Sequence, residues 1–380
     1  MLSRLSRIVW FLILLGLAVW FAAFWPQRPL TAVLGIALIP GGLAMVLALE
    51  FVALSAVRRF TSQPPSQSQD PLQPQQSAFT AAQVVPPTVA HMLRAGWQEL
   101  MAVLLVFGWW QPFRAMAEPD HLPRPPTGRR GVVLVHGYVC NRAVWTRWFA
   151  LLREHGHSWI AVDLEPIGGS IDAYSARIDA AVRQLTAATG MAPVLICHSM
   201  GGLAARAWLR NRLAQGDAGP APVVERIITL GTPHHGTWLA KWNLFPASCN
   251  AVQMQQHSPW LEALARQEAQ PSAMTSATTA TTATPATTTT STSSARAAVQ
   301  LPAGGGTAAA HAGVLEAVNP YARFVCFYSH CDNIVFPPST ATLSGADNRH
   351  LPGVAHLALV LDPRVVSGCL SILAQASHKH

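Results

Sequence analysis

A buried strand that leads directly into a serine and then into a helix is the strongest restriction on how this chain folds. Residues 193–206 read PVLICHSMGGLAAR, in which an apolar run ends at His198 and an Ala-rich helical segment follows Ser199. A serine on such a sharp turn is held out above a sheet, and the N–H group of the next residue points into the same space. The alternative interpretation is a serine that only caps the helix.

Similar apolar runs alternate with helical patterns along the rest of the C-terminal part of the chain. They are short and rich in Val, Ile and Leu, which is typical of strands buried on both faces. This alternation predicts an α/β fold with a mostly parallel sheet flanked by helices. The predicted strands are residues 132–135, 159–164, 194–197, 226–230 and 323–328, and the predicted helices are residues 145–155, 171–189 and 201–213.

The strand–serine–helix segment resembles the nucleophile elbow, G-x-S-x-G, of the α/β-hydrolase family. Gly201 matches the second glycine, and His198 and Met200 flank the serine as the variable positions do. Cys197 replaces the first glycine, and because cysteine is small and mostly apolar we still expect the turn to form. The resemblance implies the α/β-hydrolase fold and a nucleophilic role for Ser199.

A nucleophilic serine needs a base, and the base needs an orienting carboxylate. In α/β-hydrolases the chain order is serine, acid, histidine. Asp332 follows the predicted strand 323–328, and His356 lies in the segment GVAHL, which resembles the G-x-x-H-L loop of these hydrolases. Ser199, Asp332 and His356 are therefore the predicted catalytic triad. The rivals are Asp347 as the second choice of acid, Asp362, which has the wrong chain order, and His330 and His350 as the base.

Two further segments resemble bacterial lipases. The predicted strand 132–135 ends in His136-Gly137-Tyr138, like the HG segment whose following loop lends an N–H group to the oxyanion. The resemblance implies an oxyanion hole made by the N–H groups of Tyr138 and Met200. Residues 231–236, GTPHHG, resemble a segment of triacylglycerol lipases, and we expect the histidines there to shape the pocket rim rather than to act in catalysis. The triad chemistry requires no metal and no organic cofactor.

The N-terminal end carries two apolar runs, residues 8–25 and 30–49, separated by two prolines. The first has 18 residues without a charge, which nearly spans a hydrocarbon core of about 30 Å. Together the runs predict a transmembrane helical hairpin within a membrane anchor over residues 1–60. The alternative is a cleaved signal peptide followed by a buried helix.

Arginine placement predicts the orientation of this hairpin. Arginines precede the first run and follow the second, and only Arg28 lies between them. Both ends are therefore expected on the cytoplasmic side of the inner membrane, together with the rest of the chain. Residues 97–113 include the apolar stretch Leu100–Trp110, which is short enough to favour an interfacial helix. If this segment spanned the membrane, the remainder would be periplasmic.

Composition shifts suggest the remaining boundaries. Residues 61–130 are expected to form a linker around the interfacial segment, and residues 131–380 the hydrolase domain. Residues 237–320 interrupt the strand–helix alternation and are predicted to form a cover region. Their middle part, residues 272–296, is almost entirely Thr, Ala and Ser, which predicts a disordered insert.

The function that these features predict is a membrane-anchored serine hydrolase that cleaves carboxylic esters, in particular lipid or acyl esters. A thioesterase or an acyltransferase with the same triad, and a catalytically silent interaction module, are the alternatives. The expected partners are the ester substrate and the lipid bilayer. Nucleic acid is not expected, because the arginines behind the net charge of +8 are scattered. The sequence leaves the oligomeric state and the disulfide state of the six cysteines open.

Overall fold

The structure is a computed structural model that describes residues 1–61, 87–125, 128–214, 223–242, 248–269 and 319–377. We refer to the part from residue 128 onward as the sheet domain. Residues 62–86 of the predicted linker, and the whole Thr/Ala/Ser insert, lie outside the described residues. The strands are β1 (Val132–Val135), β2 (Trp159–Val162), β3 (Val194–His198), β4 (Arg226–Leu230), β5 (Phe324–Tyr328) and β6 (Asp347–His350).

The helices surround this sheet and precede it. They are α1 (Leu2–Phe24), α2 (Pro29–Thr61), α3 (Val89–Leu105), α4 (Thr146–Glu154), α5 (Ser175–Thr189), α6 (Met200–Ala214), α7 (Cys249–Gln253), α8 (Pro259–Ala269) and α9 (Pro363–Ser377). Helix α3 continues through a π-helical stretch (Val106–Trp110) into one last turn (Gln111–Phe113). Short 3₁₀ segments complete the fold at Arg142–Trp145, Ile171–Tyr174, Trp238–Trp242, Pro338–Ala341 and Leu357–Val360.

The six strands form one parallel sheet in the order β2-β1-β3-β4-β5-β6. The predicted fold class, a mostly parallel α/β sheet flanked by helices, is confirmed. Five strands lie where the apolar runs predicted them, within two residues. The sixth was missed, because residues 347–350 read DNRH and carry no apolar pattern. Asp347 therefore begins an edge strand, although its segment has no strand pattern in the sequence.

The central strands are buried on both faces, which explains their continuous apolar runs. Because side chains alternate along a strand, Val132 and Leu134 of β1 join a core beneath α4 and α9. Val133 and Val135 face the opposite way, into a core built with α5 and α6. The sheet thus has a helical layer on each face, and the carboxyl ends of all six strands lie at one edge.

The two N-terminal helices are long and apolar enough to cross a membrane. They are joined by a short connection at Trp25–Arg28, and most of their large apolar side chains are exposed. The start of α1 and the end of α2 both contact the rest of the chain: Trp10 Nε1 donates to the carbonyl of Phe107 at 3.0 Å, and Leu54 is fully buried in the first core. The connection between the helices is therefore the end remote from the sheet domain.

Helix α3 has one buried face and one exposed apolar face. Thr88 caps its start by accepting the N–H group of His91. The buried face carries Ala95, Glu99 and Ala102. The exposed face, continued into the following turns, carries Leu93, Trp97, Met101, Leu104, Leu105, Trp109 and Phe113. This face includes the segment predicted to lie at a membrane interface, and that location stays a prediction.

Candidate active site

Ser199 is the single residue between the last residue of β3 and the first residue of α6. Its φ angle of 53° lies in the left-handed region, which costs a non-glycine residue roughly 1–2 kcal/mol. Hydrogen bonds on both sides compensate for this strain. The Ser199 N–H group donates to the carbonyl of Leu230 at 2.9 Å, and the Ser199 carbonyl accepts the Thr232 hydroxyl at 2.8 Å. Strained backbone held in this way is common at functional sites.

Close contacts explain the small residues around this turn. A Cβ atom on Gly201 would lie 2.5 Å from the carbonyl oxygen of Val135 and 2.6 Å from that of His136. A Cβ atom on Gly137 would lie 2.8 Å from the Cβ of Ser199. Cys197, which replaces the first glycine of the motif, is fully buried in β3 between the neighbouring strands. The turn forms with cysteine at this position.

The structure brings Ser199, Asp332 and His356 into one hydrogen-bonded chain. Nε2 of His356 lies 2.9 Å from Oγ of Ser199, and Nδ1 lies 2.9 and 3.0 Å from the two carboxylate oxygens of Asp332. Because a carboxylate only accepts, Nδ1 carries the ring proton, and Nε2 accepts from the serine hydroxyl. Asp332 Oδ1 also accepts the N–H groups of Ile334 and Val335, which fix the carboxylate.

The charge environment favours protonation of His356. Burial opposes a charged imidazole, but the attraction and hydrogen bond of Asp332, with the charges of Glu99 and Glu50, outweigh it and raise the pKa of His356. A base with a raised pKa binds the serine proton more tightly once it has accepted it.

The rival acids and bases have other partners. Asp347 accepts from Arg349, and Asp362 accepts from Arg364. The ring of His330 is tilted against the rings of His91 and His350, at centroid distances of 5.5 and 4.8 Å. In the described part of the chain, the side chain that bonds His356 Nδ1 is therefore that of Asp332.

His136 holds the peptide that joins Gly137 and Tyr138. Its Nε2 accepts the N–H group of Leu164 at 2.9 Å, so the proton is on Nδ1, which donates to the Gly137 carbonyl at 2.8 Å. The N–H group of Tyr138 belongs to the same planar peptide and points opposite to that carbonyl. Among the described residues, neither the Tyr138 N–H nor the Met200 N–H donates to a protein acceptor. Both N–H groups therefore remain available as donors.

His198, which the motif places before the serine, contacts the base directly. The two rings are 4.8 Å apart, and His198 Nε2 donates to the backbone carbonyl of His356 at 3.3 Å. Burial and then the charge of His356 lower the pKa of His198 well below its ordinary value, so this ring is neutral. A neutral His198 positions the backbone of His356 and does not compete with it as a base.

Three residues near His356 were missed by sequence reasoning. Asn333 Oδ1 accepts the backbone N–H of His356, while Glu50 and Glu99 approach from helices α2 and α3. The one signal for the two acids is that each is a lone carboxylate beside an apolar run. Within the described ranges, no group of three or more His, Cys, Asp or Glu side chains is arranged to hold a metal ion.

The sheet is parallel, and a serine lies on a strained turn at its carboxyl edge. This serine bonds a histidine from a later loop, and the histidine bonds an aspartate from another. Such a fold and such a site define the α/β-hydrolase class. The sequence model of the alpha/beta hydrolase family matches residues 132–368, and the chain belongs to this family. Helices α1–α3 lie outside the match. No curated protein matches the chain.

Solved structures that are similar to this chain share little sequence with it. A mature lipase of Bacillus licheniformis has 19% identity and a TM-score of 0.43, over 67% of this chain and 96% of its own. Lipase B of Aspergillus fumigatus has 16% identity and a TM-score of 0.45, over 67% of this chain and 55% of its own. A monoacylglycerol lipase of Paleococcus ferrophilus has 13% identity and a TM-score of 0.36, over 66% of this chain and 96% of its own.

Proposed function

We propose that the chain is a membrane-anchored serine hydrolase that cleaves carboxylic esters, in particular lipid or other acyl esters. The observation that carries the proposal is the hydrogen-bonded chain from Ser199 through both ring nitrogens of His356 to Asp332. A serine that merely capped α6 would need neither a histidine at its hydroxyl nor a buried carboxylate behind that histidine.

In the first half of the proposed reaction, Ser199 Oγ attacks the ester carbonyl carbon, and His356 Nε2 takes the hydroxyl proton. The carbonyl oxygen becomes an oxyanion, which accepts the N–H groups of Tyr138 and Met200. The tetrahedral intermediate then breaks its bond to the alkoxy oxygen, and His356 returns the proton to the departing alcohol. Asp332 keeps the ring in one orientation and stabilises its charged form.

In the second half, water takes the place of the alcohol. His356 removes a proton from the water as its oxygen attacks the acyl-enzyme carbonyl, and the same two N–H groups bind the new oxyanion. The bond to Ser199 Oγ then breaks, the proton returns to Oγ, and the acid leaves. Each oxyanion donor is expected to contribute about 2.7–4 kcal/mol in the transition state.

Exposed apolar surface supports lipid esters as the substrate class. Both α1 and α2 expose large apolar residues along most of their length, and α3 adds an apolar face beside them. A soluble protein rarely exposes contiguous apolar patches of this extent. The proposed architecture is an anchor over residues 1–60, a linker over 61–130 with an interfacial helix near 97–113, and a hydrolase domain from 131, with a cover region over 237–320.

The hairpin geometry supports one side of the membrane for both ends of the anchor. The start of α1 meets the sheet domain where Asn141 donates to Ser3, and the later part of α2 meets it where Asn333 donates to Glu50, so the hairpin connection lies at the other end of both helices. Because the neighbouring arginines other than Arg28 lie outside the connection, we propose that the hydrolase domain lies on the cytoplasmic side of the inner membrane. Cys249 tests this, because it is exposed while the other five cysteines are buried. A membrane-impermeant maleimide should label it only after the cells are opened, and labelling in intact spheroplasts would place the domain outside.

Turnover of p-nitrophenyl esters of increasing acyl length tests the activity. The wild type is compared with Ser199→Ala and with Ser367→Ala, a matched change on an exposed residue of α9. We expect turnover in the wild type and Ser367→Ala, and its loss in Ser199→Ala. Full activity of Ser199→Ala would overturn the proposal. Turnover of thioesters alone, transfer to an added alcohol, or no reaction in folded protein would instead favour the thioesterase, the acyltransferase or the silent module.

A further inference from the structure

Helix α3 places a buried carboxylate beneath the loop that carries His356. Glu99 is 3% exposed, and its two carboxylate oxygens accept the backbone N–H groups of Leu357 and Ala358, each at 3.0 Å. These residues follow His356 directly and open a 3₁₀ segment, whose first N–H groups have no acceptor inside the segment. The two bonds therefore hold the backbone on the C-terminal side of the histidine.

Helix α2 reaches the same histidine through Asn333. The side-chain amide of Asn333 donates to Glu50 at 2.6 Å, and its carbonyl oxygen accepts the backbone N–H group of His356 at 3.2 Å. Asn333 is the next residue after Asp332, so this link also meets the segment of the proposed acid. Glu50 and Glu99 thus hold the backbone of His356 from two helices that lie outside the matched family region.

Both carboxylates add negative charge around the proposed base. The groups that face His356 are Asp332, Glu99, Glu50 and the ring of His198. Burial raises the pKa of Glu99 to about 7, and the two N–H bonds and the attraction of His356 oppose this rise. Asp332 adds to the rise, and Cys140 is a further titratable neighbour of Glu99.

Packing alone does not explain an acid at position 99. Its neighbours on the buried face of α3 are Ala95 and Ala102, and an apolar residue in its place would avoid the desolvation of a carboxylate. The bonds that compensate Glu99 end on the loop of His356. We propose that Glu99 and Glu50 are positioning residues for His356, so that helices α2 and α3 form part of the catalytic centre. This inference rests on the proposed triad.

The test uses Glu99→Gln, Glu50→Gln and Glu99→Asp in the full-length protein in detergent. The control is Glu268→Gln. Glu268 is a nearly buried carboxylate that pairs with Arg206 between α8 and α6, where it stabilises the fold away from the triad. Each protein is measured for kcat and KM on a soluble p-nitrophenyl ester across the acidic and neutral pH range, and for Tm.

Glutamine has one acceptor oxygen where glutamate has two, so Glu99→Gln leaves one loop N–H group without an acceptor. Because a shift of about 1 Å in a catalytic group lowers a rate about 100-fold, we expect kcat to fall about 10- to 100-fold with KM nearly unchanged. Removing the charge that Glu99 carries above its pKa of about 7 also disfavours protonated His356 near neutral pH, so the acid limb of the pH profile moves to lower pH. Glu99→Asp keeps the charge and should keep the acid limb. Glu268→Gln should lower Tm without moving the profile.

Glu50→Gln keeps an acceptor for the Asn333 amide but removes the charge, so it should move the acid limb to lower pH with a smaller loss of kcat, and it carries the test if Glu99→Gln does not fold. Lowered Tm with wild-type kcat and pH profile in both glutamine variants would show a merely structural role and overturn the inference. An NMR titration of the His356 ring separates a failure of this inference from a failure of the proposed function. The His356 signal is assigned as the one that disappears in His356→Gln. If the wild type hydrolyses no ester but His356 titrates at lower pH in the glutamine variants, the proposed ester hydrolysis is wrong and the positioning role of the two glutamates stands. An unchanged His356 titration in the folded variants overturns the inference in either case.

Discussion

Asp332 and His356, 24 residues apart in the chain, meet through both carboxylate oxygens, at 2.9 and 3.0 Å from Nδ1 of the imidazole. This contact decides which ring nitrogen carries the proton, because the carboxylate accepts and Nε2 is left to accept from Ser199. Asp332→Asn replaces an acceptor with an amide that can donate to Nδ1, which favours the wrong tautomer. We expect kcat to fall about 10⁴-fold with KM nearly unchanged.

Asp347→Asn is the matched control for this change. Asp347 was the second choice of acid from the sequence, and it pairs with Arg349 on the edge strand. Steady-state kinetics on one soluble ester should show wild-type kcat for Asp347→Asn. A larger loss in Asp347→Asn than in Asp332→Asn would move the role of the acid to Asp347.

The pH dependence of kcat/KM follows from the raised pKa of His356. The base must be neutral to accept the proton of Ser199, so activity is lost as the pH falls through the pKa of the folded protein. Since that pKa lies above the ordinary value of 6.5, the acid limb should have its midpoint above pH 6.5. A pH series with a soluble ester measures this midpoint, and a value below 6.5 would contradict the electrostatic description of the site.

The oxyanion side of the site gives a prediction that does not touch the triad. His136 holds the Gly137–Tyr138 peptide through its bond to the Gly137 carbonyl. His136→Ala frees this peptide, and we expect kcat to fall by about 10²- to 10³-fold, as for the loss of one oxyanion donor. His155→Ala removes an exposed histidine that also bonds a backbone carbonyl, and kcat should stay at the wild-type value. Equal kcat for the two variants would show that the His136 bond is not needed.

The outcome for the sheet shows what an apolar pattern can reveal. Strands such as β1 and β4 were located because burial on both faces requires a continuous apolar run. Strand β6 escaped because its residues, Asp347–His350, are exposed or only partly buried, so this strand needs no apolar run. The predicted helix over 171–189 also begins with a 3₁₀ turn, a distinction that helical periodicity does not resolve.

The residues of the candidate site also divide into those that the sequence could predict and those that it could not. Ser199, Asp332 and His356 could be predicted together because each follows a strand or loop at one edge of a parallel sheet, and the resemblance supplied their order. Glu50 and Glu99 could not, because their contacts join helices outside the sheet domain to a loop hundreds of residues later. Such contacts depend on tertiary packing, and no local pattern encodes them.

Gly201 provides a test of the turn by stability. Its Cβ position lies 2.5 Å from the Val135 carbonyl oxygen, which belongs to a strand that cannot move away. We expect Gly201→Ala to destabilise the fold by about 3 kcal/mol or more, the upper range for a single substitution. Gly190→Ala is the control, because Gly190 has a φ of 71° but no atom within 4 Å of its Cβ position, so only backbone strain of about 1 kcal/mol is added. Denaturation in detergent measures both, and similar losses would contradict the steric account of the motif.

The exposed face of α3 gives the last prediction, on substrate delivery. Trp97 and Met101 are 63% and 38% exposed and lie one helical turn apart on the apolar face. A glutamate on this face would oppose its insertion among lipid headgroups, so Trp97→Glu and Met101→Glu should lower hydrolysis of a vesicle-borne ester about tenfold or more. Hydrolysis of a soluble ester should be unchanged, since the substituted side chains point away from the buried face of α3 that carries Glu99.

Leu213→Glu places the same charge on an exposed apolar residue of α6 and should affect neither substrate. If all three variants hydrolyse the vesicle-borne ester at the wild-type rate, α3 does not dock on the membrane and the hairpin alone delivers the enzyme to lipid.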